Sequence, residues 1–125
     1  MSEPTVFIID DDEACRDSIR ELVDSVGLAA RVYGSALEFL NALDPTWRGC
    51  LVLDLHMPGM NGLALQKRLR EMGANIPIVF ISGSVEISAA VQAIRDGASD
   101  FLQKPYPGLQ LMDAINKALG GTGTR

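Results

Sequence analysis

Four short stretches of the sequence carry side chains able to do chemistry: Asp10-Asp11-Asp12-Glu13, Asp54, Ser82-Gly83 and Lys104-Pro105. Taken singly, each has a plain structural explanation. An Asp between a strand and a helix is a common N-cap, a Ser-Gly is a turn, and a Lys before Pro is a solvated loop residue. Taken together they are carboxylates, a hydroxyl and an ammonium that one sheet edge can gather, and independent caps have no reason to converge. If Asp10, Asp11 and Asp54 meet, carboxylates ~4 Å apart repel by about 4 kcal/mol per pair at an effective dielectric of about 20. Such a group calls for a cation. Oxygen ligands without His or Cys side chains select a hard ion, and a small carboxylate set that leaves room for water and phosphate oxygens suits Mg2+ better than a full Ca2+ cage. Asp12 has a separate use as the cap of the first helix.

What must position these residues is an alternation, repeated five times, of short β-branched runs and helical patterns. Strands are expected at residues 6–9, 29–33, 50–53, 78–81 and 100–102. Several are apolar on consecutive residues, as strands covered on both faces are, so the sheet is expected to be parallel. Apolar stripes at helical spacing lie between them, for example Ile19, Leu22, Val23 and Val26, or Leu111, Met112, Ile115 and Leu119. Gly27, Gly73, Gly97 and Gly120 stand where helices end. The fold class is therefore α/β, a doubly wound five-stranded parallel sheet, whose ligand site belongs at the carboxyl ends of the strands. All four polar stretches come directly after strands.

Composition narrows the function. With 125 residues, 11 Lys+Arg against 16 Asp+Glu and a net charge of -5, the chain is one domain with too little basic charge for direct nucleic-acid binding. A 47% hydrophobic content supports a core without disulfides. No apolar run approaches the ~20 residues of a membrane span, and the N-terminus lacks the pattern of a secretory signal, so a cytoplasmic location is expected. Cys15 and Cys50 without CxxC spacing, and one His, read as packing residues rather than a zinc or redox site. Residues 1–119 form the expected domain, and residues 120–125 a flexible tail or the start of a linker.

Four motifs appear in order: Ile8-Ile9-Asp10-Asp11-Asp12, Leu53-Asp54-Leu55-His56-Met57-Pro58-Gly59-Met60-Asn61-Gly62, Ile78-Val79-Phe80-Ile81-Ser82-Gly83, and Gly97-Ala98-Ser99-Asp100-Phe101-Leu102-Gln103-Lys104-Pro105-Tyr106. In these the chain resembles the receiver domain of two-component response regulators, from about residue 5 to 119. Residues 77–83 and 91–105 look most like the FixJ branch, whose members usually carry a C-terminal helix-turn-helix domain. The resemblance implies a flavodoxin-like (βα)5 fold with strand order 2-1-3-4-5. It makes Asp54 the phosphoryl acceptor, Asp11 a direct Mg2+ ligand, Asp10 a ligand through water, and the backbone carbonyl of His56 the remaining protein ligand. Lys104 and Ser82 complete the chemistry. A carboxylate attacks an anionic phosphoryl group poorly until charge is neutralised, and Mg2+ and the Lys104 ammonium are the groups that permit it.

The same resemblance implies a switch. Ser82 would turn to the phosphoryl group, and Phe101 would rotate into the space vacated; alternatively Phe101 is a fixed core aromatic. Ser82 stands where Thr is common, and Phe101 lacks the phenolic hydroxyl of many relatives. Lys104-Pro105 is expected to be cis, with Asn61 capping the third helix. His56 and Ser84 either tune dephosphorylation or are solvent-facing loop groups. The implied partners are a sensor histidine kinase, a DNA-binding output domain outside this chain, and a second copy meeting it through the fourth helix, fifth strand and fifth helix, about residues 86–96 and 106–119. There Arg95, Asp96, Asp100, Asp113 and Lys117 either pair across partners or form a solvated rim. The chain is then no enzyme beyond its own phosphorylation and dephosphorylation.

Three other readings remain. A stand-alone receiver in a relay, or acting on a protein target, fits the same residues. A dehalogenase-type phosphohydrolase needs a second acid two positions after its nucleophile, where this chain has His56. A flavin or nucleotide module needs a phosphate-cradling first loop, which Asp10-Asp11-Asp12-Glu13 would repel.

Overall fold

The computed structural model describes residues 4–84 and 86–120. The elements run β1 (Thr5–Ile9), α1 (Glu13–Ser25), β2 (Ala29–Tyr33), α2 (Ala36–Ala42), β3 (Gly49–Asp54), α3 (Gly62–Glu71), β4 (Ile78–Ser82), α4 (Ile87–Arg95), β5 (Asp100–Gln103) and α5 (Gly108–Ala118). All neighbouring strands are parallel, in the order β2-β1-β3-β4-β5. This is the expected five-stranded doubly wound sheet. Of the expected tail, residues 120–125, all but Gly120 lie outside the described residues.

Side chains alternate across the sheet. Val6, Ile8, Val52 and Val79 face α1 and α5, meeting Ile19, Val23, Leu111 and Ile115. Phe7, Ile9, Leu53 and Phe80 face the other way, meeting Phe39, Leu65, Leu69 and Ala93 from α2, α3 and α4. Both faces are covered, which is why β1, β3 and β4 read as continuous apolar runs. Full burial of each such side chain contributes about 1.5–3 kcal/mol.

The strand ends differ slightly from expectation. Asp54 and Ser82 are the last residues of β3 and β4 rather than the first of their loops. Asp54 pairs in register with Ile81, and the Leu55 amide donates to the Ile81 carbonyl at 2.9 Å. The ladder thus runs to the Asp54 position itself. Asp12 caps α1 by accepting from the Ala14 amide at 3.0 Å, and Asn61 caps α3 by accepting from Ala64 at 2.9 Å, both as expected. The four helix-ending glycines all take positive φ, and Lys104-Pro105 is cis. No helix among the described residues is long and apolar enough to cross a membrane.

One glycine shapes the site. A Cβ at Gly62 would lie 2.8 Å from the Asp54 carbonyl oxygen and 2.9 Å from Phe80 Cε1. The first turn of α3 is seated directly against the end of β3, and only a residue without a side chain fits there.

Candidate functional site

The carboxyl ends of β1, β3, β4 and β5 bring together Asp10, Asp11, Asp54, Ser82 and Lys104. Oxygens of Asp10, Asp11 and Asp54 lie within 4.8 Å of one another, with Asp10 and Asp54 buried and Asp11 exposed. Lys104 Nζ donates to Asp10 Oδ2 at 2.9 Å and lies 3.9 Å from Asp54 Oδ2. The other Asp10 oxygen accepts from the Asp12 amide at 2.9 Å. Asp54 Oδ1 accepts from the His56 amide at 3.3 Å. The Lys104 amide donates to the Ser82 carbonyl at 2.7 Å, which fixes the last turn of chain after β5 against β4.

The electrostatics arise from this crowding. Burial, and then the neighbouring Asp10 charge, push the Asp54 carboxyl up to about 6, against which Lys104 pulls only partly. Asp10 is pushed up by its burial too, but hydrogen bonds from Cys15, the Asp12 amide and Lys104 outweigh that and hold it below the ordinary range. Burial works against the Lys104 charge, yet its bond to Asp10 and the attraction of both carboxylates hold the ammonium above its usual value. Three carboxylates beside one ammonium leave the centre short of positive charge. That donor set, all oxygen and partly buried, fits a hard divalent cation such as Mg2+.

The remaining predicted residues have partners of their own. Ser82 Oγ donates to the Ser84 carbonyl at 2.8 Å and accepts from the Ser84 amide at 3.2 Å, so the hydroxyl is tied to its own loop. Phe101 is half-buried, with its ring 6.1 Å from Phe80 and nearly parallel to it. The His56 side chain is half-exposed and reaches Glu86 at 3.5 Å. On the expected output face, Asp96 is bonded to Arg70 at 3.2 Å and to Gln92 at 2.8 Å, and Asp100 accepts from the Phe101 amide at 2.8 Å.

Sequence reasoning missed two supports. Arg16 Nη1 donates to the Asp10 backbone carbonyl at 2.7 Å, bracing the acidic loop from α1. Cys15, read as packing, also hydrogen-bonds Asp10; burial and that bond push its thiol up to about 12. Tyr106 lies beside Cys15, its phenol raised to about 12 chiefly by burial. An Arg six residues after a strand-end Asp, on the inner side of the next helix, was the available signal.

The family described as response regulator receiver domain matches residues 6–116. The response regulator protein TmoT of Ectopseudomonas mendocina is 45% identical over 117 residues, which cover 94% of this chain and 53% of that protein. The transcriptional regulatory protein FixJ of Azorhizobium caulinodans is 42% identical over 115 residues, covering 92% of this chain and 54% of that protein. This chain thus spans about half the length of the curated relatives it matches. Among solved structures, that of response regulator StyR superposes with a TM-score of 0.91 at 42% identity, covering 95% of this chain and 60% of that one. The structure of FixJ-N superposes with a TM-score of 0.87 at 36% identity over 100% of both chains.

Proposed function

The chain belongs to the response regulator receiver domain family, and from that premise we propose that it is a phosphorylation-controlled switch whose acceptor is Asp54. The observation that carries this is the convergence of Asp10, Asp11 and Asp54 within 4.8 Å, with the Lys104 ammonium at one side. In the proposed reaction an Asp54 carboxylate oxygen attacks the phosphorus of a phosphohistidine on a sensor kinase. The P–N bond breaks, the histidine nitrogen leaves with the electron pair, and an acyl phosphate forms on Asp54. Hydrolysis of that acyl phosphate later returns the carboxylate.

The chain's own groups divide the work. The His56 amide and the β3–β4 ladder hold Asp54 in place. Asp11, exposed beside the two buried carboxylates, is free to ligate a metal directly together with Asp54 and the His56 backbone carbonyl. Asp10, whose oxygens already accept from Asp12 and Lys104, suits contact through water. When bound, Mg2+ supplies the positive charge that lets a carboxylate and a phosphoryl group approach. Lys104 places a second positive charge beside Asp54, and Ser82, once released from Ser84, can donate to a phosphoryl oxygen.

The output is read as transcriptional, through a DNA-binding domain beyond this chain, because relatives named transcriptional regulators are about twice as long as the matched region. A cytoplasmic location accords with that role. Ile87, Val91 and Ile94 on α4 are exposed and one turn apart, which favours a phosphorylation-promoted homodimer through α4, β5 and α5. Phe101, stacked on Phe80 under that face, is the proposed aromatic of the switch.

The test is to locate the modification. After incubation with a phosphorylated sensor kinase and Mg2+, borohydride should reduce an acyl phosphate at residue 54 to homoserine, seen as a mass change in the peptide carrying it. A reduced residue elsewhere, or none, would contradict the assignment.

A further inference from the structure

Gln66 lies in α3 between the core residues Leu65 and Leu69 and is itself 2% exposed. A Leu or Met there would fill the same space with no polar group to satisfy. Its Nε2 donates at 2.9 Å to the Ala93 carbonyl in the last turn of α4, 27 positions away. The same carbonyl accepts from the Ala98 amide at 2.9 Å. Gln66 is therefore a second, side-chain donor at the C-terminal end of α4. The carboxamide can face only this way, since a flip would set its oxygen against the Ala93 oxygen. Gln66 Oε1 is left without a partner, the one such buried side-chain atom among the described residues.

Besides the partly exposed Arg70–Asp96 ion pair at 3.2 Å, α4 has little to hold it to the domain. Its buried residues are Ala89 and Ala93, whereas α5 buries Leu111, Met112, Ala114 and Ile115. Methyl groups bury little area, so the hydrophobic anchorage of α4 is weak. Glu86, at its N-cap, makes no side-chain capping bond.

We propose that the Gln66–Ala93 hydrogen bond is the tether that sets the resting position of α4, and that a change at Asp54 reaches the α4 surface by releasing it. Gly62 and Gln66 lie one turn apart on the same face of α3. Gly62 is packed against the Asp54 carbonyl oxygen and Phe80, and Gln66 against the end of α4. A small shift of α3 at the acceptor strand is therefore delivered to the tether. Release lets water reach Oε1, which offsets part of the lost bond and keeps the tether weak enough to switch. The signalling half of this inference rests on Asp54 being the acceptor; the tether itself does not.

Hydrogen exchange read by mass spectrometry tests both halves, on wild type, Gln66→Met and Gln66→Asn, each with and without acetyl phosphate and Mg2+. Without phosphoryl donor, amides of residues 93–98 should exchange about tenfold faster in both variants than in wild type, the worth of one hydrogen bond, with α1 and α5 unchanged. Gln66→Asn keeps the amide but is one methylene too short, and it carries the test if Gln66→Met does not fold. Phosphorylated wild type should show the same local rise, and the phosphorylated variants no further one. Unchanged exchange at residues 93–98, or an equal rise in every helix, would overturn the tether. A phosphorylated wild type with no local rise would overturn the release. Absence of any adduct on wild type would instead contradict the Asp54 reading and remove the signalling half, while the comparison of unphosphorylated variants still decides the tether.

Discussion

Lys104 Nζ stands 2.9 Å from Asp10 and 3.9 Å from Asp54, so the ammonium is bonded to the fully buried carboxylate and only adjacent to the proposed acceptor. In this state the lysine neutralises Asp10 first. It is then within a small movement of any group attached to Asp54.

Replacing Lys104 with Met should therefore cost stability as well as signalling. Asp10 is buried, and the Lys104 side chain is 25% exposed. The loss should fall between the ~1 kcal/mol of a surface pair and the ~3–5 kcal/mol of a broken buried one. Urea unfolding without metal measures it, and a loss near zero would mean that the pair is fully screened.

The pH dependence of Asp54 has a definite sign. Its folded-state value, about 6, lies above the ordinary 3.8, so ionising Asp54 disfavours the folded form. That penalty is absent below about pH 4, grows as pH rises, and is complete above about pH 6. Asp54→Asn should then stabilise the metal-free protein at pH 7 by roughly 2–3 kcal/mol, from a shift of about two units at 1.36 kcal/mol each. The gain should fade as pH drops from 6 to 4. Denaturant titrations of both proteins in chelator at several pH values check it, and a gain that grows on acidification would contradict it.

Gly62→Ala tests the seating of α3 against the strand that carries Asp54, the proposed acceptor. The added methyl meets the Asp54 carbonyl at 2.8 Å and Phe80 at 2.9 Å. Overpacking of this kind costs about 1–3 kcal/mol, more than the ~1 kcal/mol of helix propensity that Ala gains over Gly. A lower thermal midpoint together with slower phosphoryl uptake is expected. An unchanged rate would separate α3 seating from acceptor geometry.

Ser82→Ala removes the hydroxyl that now bridges the Ser84 amide and carbonyl. Stability should fall by about 1 kcal/mol. An adduct should still form on Asp54, but phosphorylation-dependent self-association, read by light scattering, should weaken. Undiminished association would remove Ser82 from the switch.

Much of this was legible in the sequence because it depends on periodicity and on the residues at the carboxyl end of each strand. Consecutive apolar residues at Ile8-Ile9 and Val52-Leu53 signal two covered faces, and the caps Asp12 and Asn61 are local bonds that spacing alone predicts. The convergence of Asp10, Asp54 and Lys104 is a product of the topology. Hidden from the sequence is whatever depends on the reach of side chains between distant segments. The preference of Lys104 for Asp10 over Asp54, the brace from Arg16 to the Asp10 carbonyl, and the resting bond of Ser82 to Ser84 are choices among several partners within range. Gln66 reads from the sequence as a polar residue in a helical stripe, and nothing local shows that it faces the end of another helix 27 positions away.

The most direct test of the central claim is intact mass after incubation with acetyl phosphate, for wild type with Mg2+, wild type with chelator, and Asp54→Asn with Mg2+. A single phosphoryl adduct on wild type that requires Mg2+ and is absent from Asp54→Asn is the predicted result. An adduct of equal yield on Asp54→Asn, or one on wild type that forms equally in chelator, would contradict it.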